Sequence, residues 1–426
     1  MRLLLVGAFP YPHHQGSQVY FQEQAIALRA AGAEVDLLTY ASAAEVGDDP
    51  GRWRALDGFV HLKTPAWTSP ALLHSGPSWR KPLADCALFM TLNDAIASRS
   101  DTKLAYDAIL THNAEAGLVA TASWKRRSRA RHKAHPPVIY CVHTLMQNEL
   151  PTYYKPLKNK NYLDRLNPSE QPFRRAGRRV IEAFGKRVDR RLAQRSDGWV
   201  ALTHSAARVM RASSNAPGAL IPPPLPAPRH RLCALDPLQT VRTLGLEPGR
   251  FYLYSGNLDG YQELDILTSA ADLLDEMGEP PGQIVAASHD PRVIERFAAH
   301  PSIKPCVVAS EAEMQAIIEA ARASLIMRQA EGGFPIKLAN SLAAGIPPIA
   351  FLGREWGLQD GENALVISQD SPARSLAAAI QRLEQDSDLA NRLAAGARAL
   401  YERNHLPAEA ATETLALIDA VLSRHR

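Results

Sequence analysis

Five prolines fall within nine residues at Leu220-Ile221-Pro222-Pro223-Pro224-Leu225-Pro226-Ala227-Pro228. Such a stretch can be neither helix interior nor central strand, because each proline lacks an amide hydrogen and fixes φ. It reads as a stiff extended connection. On either side of it, short apolar runs alternate with helix-forming stretches. The runs before it are Leu3–Phe9, Val35–Tyr40, Phe59–Thr64, Ala108–His112, Val138–His143 and Trp199–Thr203. Those after it are Phe251–Ser255, Gln283–Ala287, Pro305–Ala309, Ser324–Met327, Pro348–Phe351 and Ala364–Ile367. Continuous apolar runs of this length read as strands covered on both faces, which is the pattern of a parallel sheet.

Helices are expected between them at Gln18–Ala31, closed by Gly32, and at about Ser169–Gln194, Glu263–Met277, Arg292–Ala299, Glu311–Ala321 and Ile336–Ala344. The tail from Ser371 onward reads as almost wholly helical. Strand–helix–strand crossovers are right-handed. The fold class is therefore α/β, with two Rossmann-like doubly wound parallel-sheet domains. The expected boundaries are 1–218 and 251–407, with a proline-rich linker at 219–250 and a last helix, about 408–426, packing back on the first domain. Two such domains facing an interdomain cleft present the carboxyl ends of both sheets to it, and ligands are expected there.

At 426 residues, 46% hydrophobic and 22% charged, the chain can bury a full core in each domain. The four cysteines, Cys86, Cys141, Cys233 and Cys306, show no CxxC spacing. A reducing cytoplasm is the expected compartment, and a zinc site is not expected. The amino terminus has a short apolar run without a long h-region or small-residue cleavage site. No stretch approaches the ~20 apolar residues of a membrane span.

The net charge of +4 is unevenly spread, with basic runs at Lys125–Lys133 and Arg174–Arg195. One reading is a solvated loop followed by an exposed helix face. The other is attraction to anionic lipid headgroups or an anionic acceptor, which would place the protein peripherally at the inner face of the membrane. Nucleic acid is not an expected partner, because few aromatics interleave with these charges.

Gly16 lies between the first strand and the first helix, where a glycine lets backbone amides approach an anion. The dinucleotide pattern G-x-G-x-x-G is absent from this loop, and neither a Walker A lysine loop nor HExxH occurs. The stronger signal is the run from Arg328 to Ala350. A strand ends near Met327, a Gly-Gly turn follows, and a helix starts at about Pro335 or Ile336. Pro335 suits a helix start, and Gly345 closes the helix just before the next strand. A helix of this kind presents its amino terminus where a diphosphate would be held.

The segment Gly333-Phe334-Pro335-Ile336-Lys337-Leu338-Ala339-Asn340 through Ile349 resembles the acidic-motif region of retaining glycosyltransferase family 4, in the variant form GFPxKLxNxxAxGxPxI. Phe9-Pro10 through Val35, Asp197 through Ser205 and Asp360 through Val366 resemble other elements of that family in the same order.

The resemblance implies a GT-B fold and a transfer that uses no metal and no cofactor. A hexosyl or N-acetylhexosaminyl group would pass, with retention, from a UDP- or GDP-type sugar to a hydroxyl or other nucleophile. It implies catalytic roles for His143, Lys337 and Glu331. Contact with the donor diphosphate is implied for Gly16, Arg328, Gly332, Gly333, Phe334, Pro335, Ile336 and Asn257, and with the nucleoside for Asn340. His112, Asn113, Glu115 and Glu149 would lie on the acceptor side, where they orient hydroxyls or satisfy loop backbone.

Two departures stand out. The family's paired glutamate positions are Gly332 and Asn340 here, with Glu331 displaced by one. The loop Ser255–Gln262 carries Asn257 at the family's arginine position, and no lysine follows. A nucleotide-sugar epimerase or phosphorylase of the same fold, and a catalytically silent sugar-binding domain, remain alternatives at this point.

Overall fold

A computed structural model describes residues 1–11, 16–41, 58–68, 81–97, 105–131, 135–153, 171–226, 235–258, 262–277, 282–329 and 331–425. Cys233, the end of the proline-rich stretch, His132 and Lys133 of the basic run, and Asp259–Tyr261 lie outside them. By packing, the chain divides into one unit of Met1–Pro224, Gly332–Phe334 and Pro407–Arg426 and another of Leu225–Glu331 and Pro335–Leu406.

The first unit is built on a seven-stranded, all-parallel sheet. Its strands are β1 (Arg2–Pro10), β2 (Glu34–Tyr40), β3 (Val60–Lys63), β4 (Ala108–His112), β5 (Val138–Val142), β6 (Gly198–Ala201) and β7 (Gly218–Leu220), in the order β3-β2-β1-β4-β5-β6-β7. Leu4, Val6 and Ala8 alternate along β1 into a cluster with Leu88, Leu92 and Ile109. Tyr140, Val142 and Trp199 enter another with Leu192 and Met210. The helix Pro407–His425 packs on the helix Gly16–Ala30 and on β6 and β7. Gly198 permits that approach, since a Cβ there would stand 2.7 Å from Val421.

The second unit holds a six-stranded parallel sheet of β8 (Phe251–Ser255), β9 (Gln283–Ser288), β10 (Ile303–Val307), β11 (Ala323–Ile326), β12 (Pro348–Ala350) and β13 (Leu365–Val366). The order is β10-β9-β8-β11-β12-β13. Along β8, Phe251 and Leu253 enter one core cluster and Tyr252 and Tyr254 the other. Apolar side chains on both faces are what a sheet covered by helices on each side requires.

Several elements differ from the sequence expectation. The basic run is not a loop as far as Arg131: the helix Asn113–Arg131 continues through it, as its Arg, Lys and Ala residues favour. Within 219–250, Ala219 and Leu220 finish β7 and Pro237–Thr243 form a helix capped by Asp236. Strand β10 begins two residues earlier than Pro305, and it tolerates that proline because it is the edge of its sheet. The helix Lys81–Ala97 lies in a region without a readable motif.

Candidate functional site

In a doubly wound sheet, the crevice opens where strand order reverses, beyond the carboxyl ends of the two central strands. The second sheet reverses between β8 and β11, and the first between β1 and β4. Residues singled out by sequence lie at both places, while His143 and Glu149 lie one strand further along, beyond β5.

In the second unit, β8 ends at Ser255 and Gly256 follows with φ +137°, a conformation that favours glycine. Beyond β11 comes Arg328, and the helix Ile336–Ala344 begins with Lys337 in its first turn. Pro335 is the residue before that helix, with φ −76° and ψ 117°, rather than its first turn, and Gly345 closes it in the left-handed conformation (φ 72°). Lys337 Nζ donates to Gln262 Oε1 at 2.7 Å and lies 4.3 Å from the Tyr254 ring centroid. Gln262 Nε2 in turn donates to Asn257 Oδ1 at 3.0 Å, and the Tyr254 hydroxyl donates to the Asn257 carbonyl at 2.5 Å.

Lys337 is thus held between a ring face and an amide, with no carboxylate in this set of contacts. Burial pulls its pKa down to about 7, and the charge of Arg328 adds to the effect. A cation kept partly dehydrated beside a second cation is poised to accept an anion. Asn340, one turn on, is half-buried, whereas Glu331 is exposed. Gly332, Gly333 and Phe334 are buried.

In the first unit, β4 runs directly into the helix Asn113–Arg131. Asn113 turns the corner at φ 68°, and its amide bonds both the carbonyl and the N–H of Ala8 at 3.3 Å. Its side chain therefore staples β1 to β4 at the reversal point, which is the backbone-satisfying reading of the two given above. Gly16 begins the helix Gly16–Ala30 and is exposed.

His112, fully buried at the end of β4, meets His143 beyond β5, with Nδ1 and Nε2 2.9 Å apart. The Tyr20 ring lies 5.2 Å from one imidazole and 5.0 Å from the other, and Phe21 lies 4.9 Å from His112. Burial lowers both histidines, His143 to about 3, so the pair is neutral at neutral pH. The His112 Nε2 has no partner. Orphan acceptors are tolerated better than orphan N–H groups, which favours His112 donating from Nδ1 and leaves the His143 Nδ1 proton available. Cys141, beside them, is pushed up to about 12 by burial and is no thiolate.

Glu115, in the first turn of the Asn113–Arg131 helix, pairs with Lys81. Burial opposes the Lys81 charge, but Glu115 together with Glu149 and Asp85 outweighs it and Lys81 is raised overall. Glu149 adds to the field around Lys81 and accepts from the Tyr153 hydroxyl at 3.3 Å. Asp85 accepts from the Tyr40 hydroxyl at the end of β2. Glu115 and Glu149, expected on the acceptor side, thus belong to a wider cluster that includes Lys81, Asp85 and Tyr40.

Sequence reasoning missed Gln262, Tyr254, Tyr20 and Lys81. Gln262 closes the very loop whose missing lysine was noted, so that vacancy was a signal that another polar group serves there. Tyr254 and Tyr20 read as ordinary core aromatics, and Lys81 adjoins no motif.

Comparison with known proteins agrees with this layout. Residues 15–224 match the family described as glycosyl transferase 4-like domain, and residues 249–386 match glycosyl transferases group 1. No curated protein sequence matches the chain.

Among solved structures, sucrose-phosphate synthase from Thermosynechococcus elongatus is similar at 17% identity and TM-score 0.71, over 99% of each chain. Anabaena HepE, in complex with UDP and glucose, is similar at 13% identity and TM-score 0.66, over 99% of this chain and 100% of that one. The pneumococcal O-GlcNAc transferase GtfA, in complex with UDP and GlcNAc, is similar at 12% identity and TM-score 0.63, over 99% of each. With two parallel-sheet units of this fold and a glycosyltransferase domain family matched in each half, the chain is a GT-B glycosyltransferase.

Proposed function

We propose that this glycosyltransferase moves a hexosyl or N-acetylhexosaminyl group from a UDP- or GDP-type sugar to a hydroxyl or other nucleophile, with retention at the anomeric carbon, as in family 4. The observation that carries this reading is Lys337, held by Gln262 and the Tyr254 ring at the reversal point of the second sheet. The second unit is the donor domain in this scheme and the first the acceptor domain. Support comes from the matched families and from structural neighbours that contain UDP.

Breaking the bond to the leaving diphosphate builds negative charge on its oxygens and positive charge on the sugar ring. Preorganised cations and dipoles stabilise the first, and more strongly where water is excluded. Lys337 and Arg328 supply the positive charge in this scheme, doing what a divalent ion does elsewhere. The amides from Gly332 through Ile336 form the helix-start cradle, with Phe334 and Pro335 fixing its path and Asn257 at its edge, and Gly16 offers the amides of its own helix start in the first unit. Asn340 bonds ribose hydroxyls and Glu331 the donor sugar. His143, neutral and with its Nδ1 proton available, donates to the sugar from the acceptor side. His112 fixes its tautomer, while Glu115 and Glu149 orient the acceptor.

A panel of nucleotides and nucleotide sugars tests this, read by heat stability and nucleotide release. Stabilisation of several °C by one nucleoside diphosphate together with release from its sugar supports transfer. Stabilisation without turnover under any acceptor indicates a binding module. No response to any nucleotide removes the donor assignment.

A further inference from the structure

The helix Gln171–Arg195 has two unlike faces. Its inner face is committed to the fold. A Cβ on Gly185 would stand 2.6 Å from the backbone of Met146 and Gln147, so the helix Met146–Tyr153 packs directly against it. Asp189 accepts from the amides of Met146 and Gln147 at 2.9 and 3.0 Å and caps that helix, while Leu192 and Ala193 enter the core.

The outer face carries Val180 and Phe184, 68% and 60% exposed, one turn apart. Arg187 and Arg191 continue the same stripe at helical spacing and are exposed, as are Arg179, Lys186 and Arg190 further round the helix. The helix's own carboxylates do not neutralise this face: Glu182 pairs with Arg178 at 2.6 Å, and Asp189 is turned inward.

We infer that this face docks on an anionic lipid bilayer, with Phe184 and Val180 entering the headgroup region and the arginines meeting the lipid phosphates. A helix lying in the interface needs both an apolar centre and a cationic surround. A merely solvated face has no use for an exposed phenylalanine between arginines. Nucleic acid would satisfy the arginines but offers no apolar layer to Phe184. No helix among the described residues is long and apolar enough to cross a membrane, so the contact is peripheral. The inner face of the same helix caps the segment that follows His143, so docking would bring the acceptor side of the first unit to the lipid surface. The contact itself does not depend on the transfer chemistry.

The test is sedimentation of the full chain with vesicles of phosphatidylcholine alone or mixed with phosphatidylglycerol. The chain is expected to partition onto the mixed vesicles only, and less as salt rises. Removing one interfacial arginine costs about fivefold in partitioning. Reversing both charges in R187E/R191E should therefore cost well over tenfold. V180S/F184S should cost roughly tenfold through lost apolar insertion.

Both variants change exposed side chains, so an unchanged melting temperature and an unchanged response to nucleotide are required alongside. That control also separates failure of this inference from failure of the donor assignment. Equal binding to neutral and anionic vesicles would overturn the proposal, as would V180S/F184S binding like the wild type. Tight, salt-sensitive binding to duplex DNA that ignores V180S/F184S, without vesicle binding, would assign the face to nucleic acid instead.

Discussion

The two reversal points of this chain are alike in topology and opposite in electrostatics. In both, a central strand hands over to a neighbour on its other side, and side chains carried at or beside the strand ends set the character of the gap; at the first, Asn113 ties β1 to β4 and His112 at the end of β4 reaches sideways to His143 beyond β5. At the first, the meeting groups are two buried imidazoles under Tyr20 and Phe21, neutral at any ordinary pH. At the second, the cation is Lys337, held by Gln262 and the Tyr254 ring, with the charge of Arg328 close enough to be felt. The fold supplies a place, and the residues that fill it decide whether that place suits a neutral sugar or a charged diphosphate. In the proposed scheme the cationic gap bears the leaving group and the neutral one bears the hydroxyls.

If that division holds, the sharpest way to break it is to remove the cation. Lys337→Ala is expected to lower turnover by ~100-fold or more, the loss seen when a preorganised group facing a developing anion is deleted. Steady-state sugar transfer measures it. Undiminished turnover in a folded variant would take Lys337 out of the reaction.

The same lysine gives the comparison a pH signature. Its pKa in the free protein is about 7. A bound diphosphate favours the charged form, so the bound-state pKa is higher. Affinity for the nucleoside diphosphate is then fully present below about pH 7. It weakens by up to ~tenfold per unit as pH rises toward the bound-state value, because binding must take up a proton there. Isothermal titration in buffers of differing ionisation enthalpy would register that uptake, and Lys337→Arg should flatten the profile. A profile already flat from pH 7 to 9 in the native protein is incompatible with Lys337 facing the anion.

Removing the support rather than the charge should have a smaller effect. Gln262→Leu leaves Lys337 without its amide partner and Asn257 Oδ1 without its donor. A hydrogen bond to a charged group contributes about 1.5–3 kcal/mol, so nucleotide affinity should fall roughly tenfold, with turnover at saturating donor falling less. Equal affinity would show that the Tyr254 ring alone positions the lysine.

Much of this layout was readable from the chain. Apolar runs identified twelve of the thirteen strands among the described residues, because a strand buried on both faces writes itself as an uninterrupted apolar stretch. The thirteenth, β7, has only three residues and lies at the edge of the proline-rich stretch, too short to register as a pattern. Lys337 was singled out through the family-like motif that carries it, at a helix start after a Gly-Gly turn. Gln262 was not, because a glutamine in a loop looks the same whether it faces water or holds a cation. For Asn113 both an acceptor contact and a backbone-satisfying role were open in the sequence, and the backbone angle of 68° and the bonds to Ala8 decide for the staple. The His112–His143 contact depends on β4 and β5 lying side by side, which no local spacing records.

That staple offers a test confined to the first gap. Asn113→Ala loses both bonds to Ala8 and forces an ordinary side chain into the left-handed region, which costs about 1–2 kcal/mol for the backbone alone. Asn113→Gly loses the bonds but not the backbone ease. Chemical denaturation should therefore rank Asn113 above Gly and Gly above Ala, with the whole span about 3 kcal/mol. Equal stability of Gly and Ala would mean that the helix start relaxes to another conformation.

The smallest expected effect is an absence of titration at the neutral gap. His143 has its pKa lowered to about 3, and His112 is also well below the ordinary value, in both cases through burial. Folded imidazoles that resist protonation bind fewer protons than the unfolded chain between pH 6.5 and about 3. Stability should therefore decline as pH falls through that window. Above pH 5 the pair itself should not change state. The ring-proton resonances of His112 and His143, assigned by loss in His112→Asn and His143→Asn, should stay flat from pH 8 to 5. Either resonance moving with a midpoint near 6.5 would mean that water reaches the pair, and the two gaps would then differ less in character than their side chains imply.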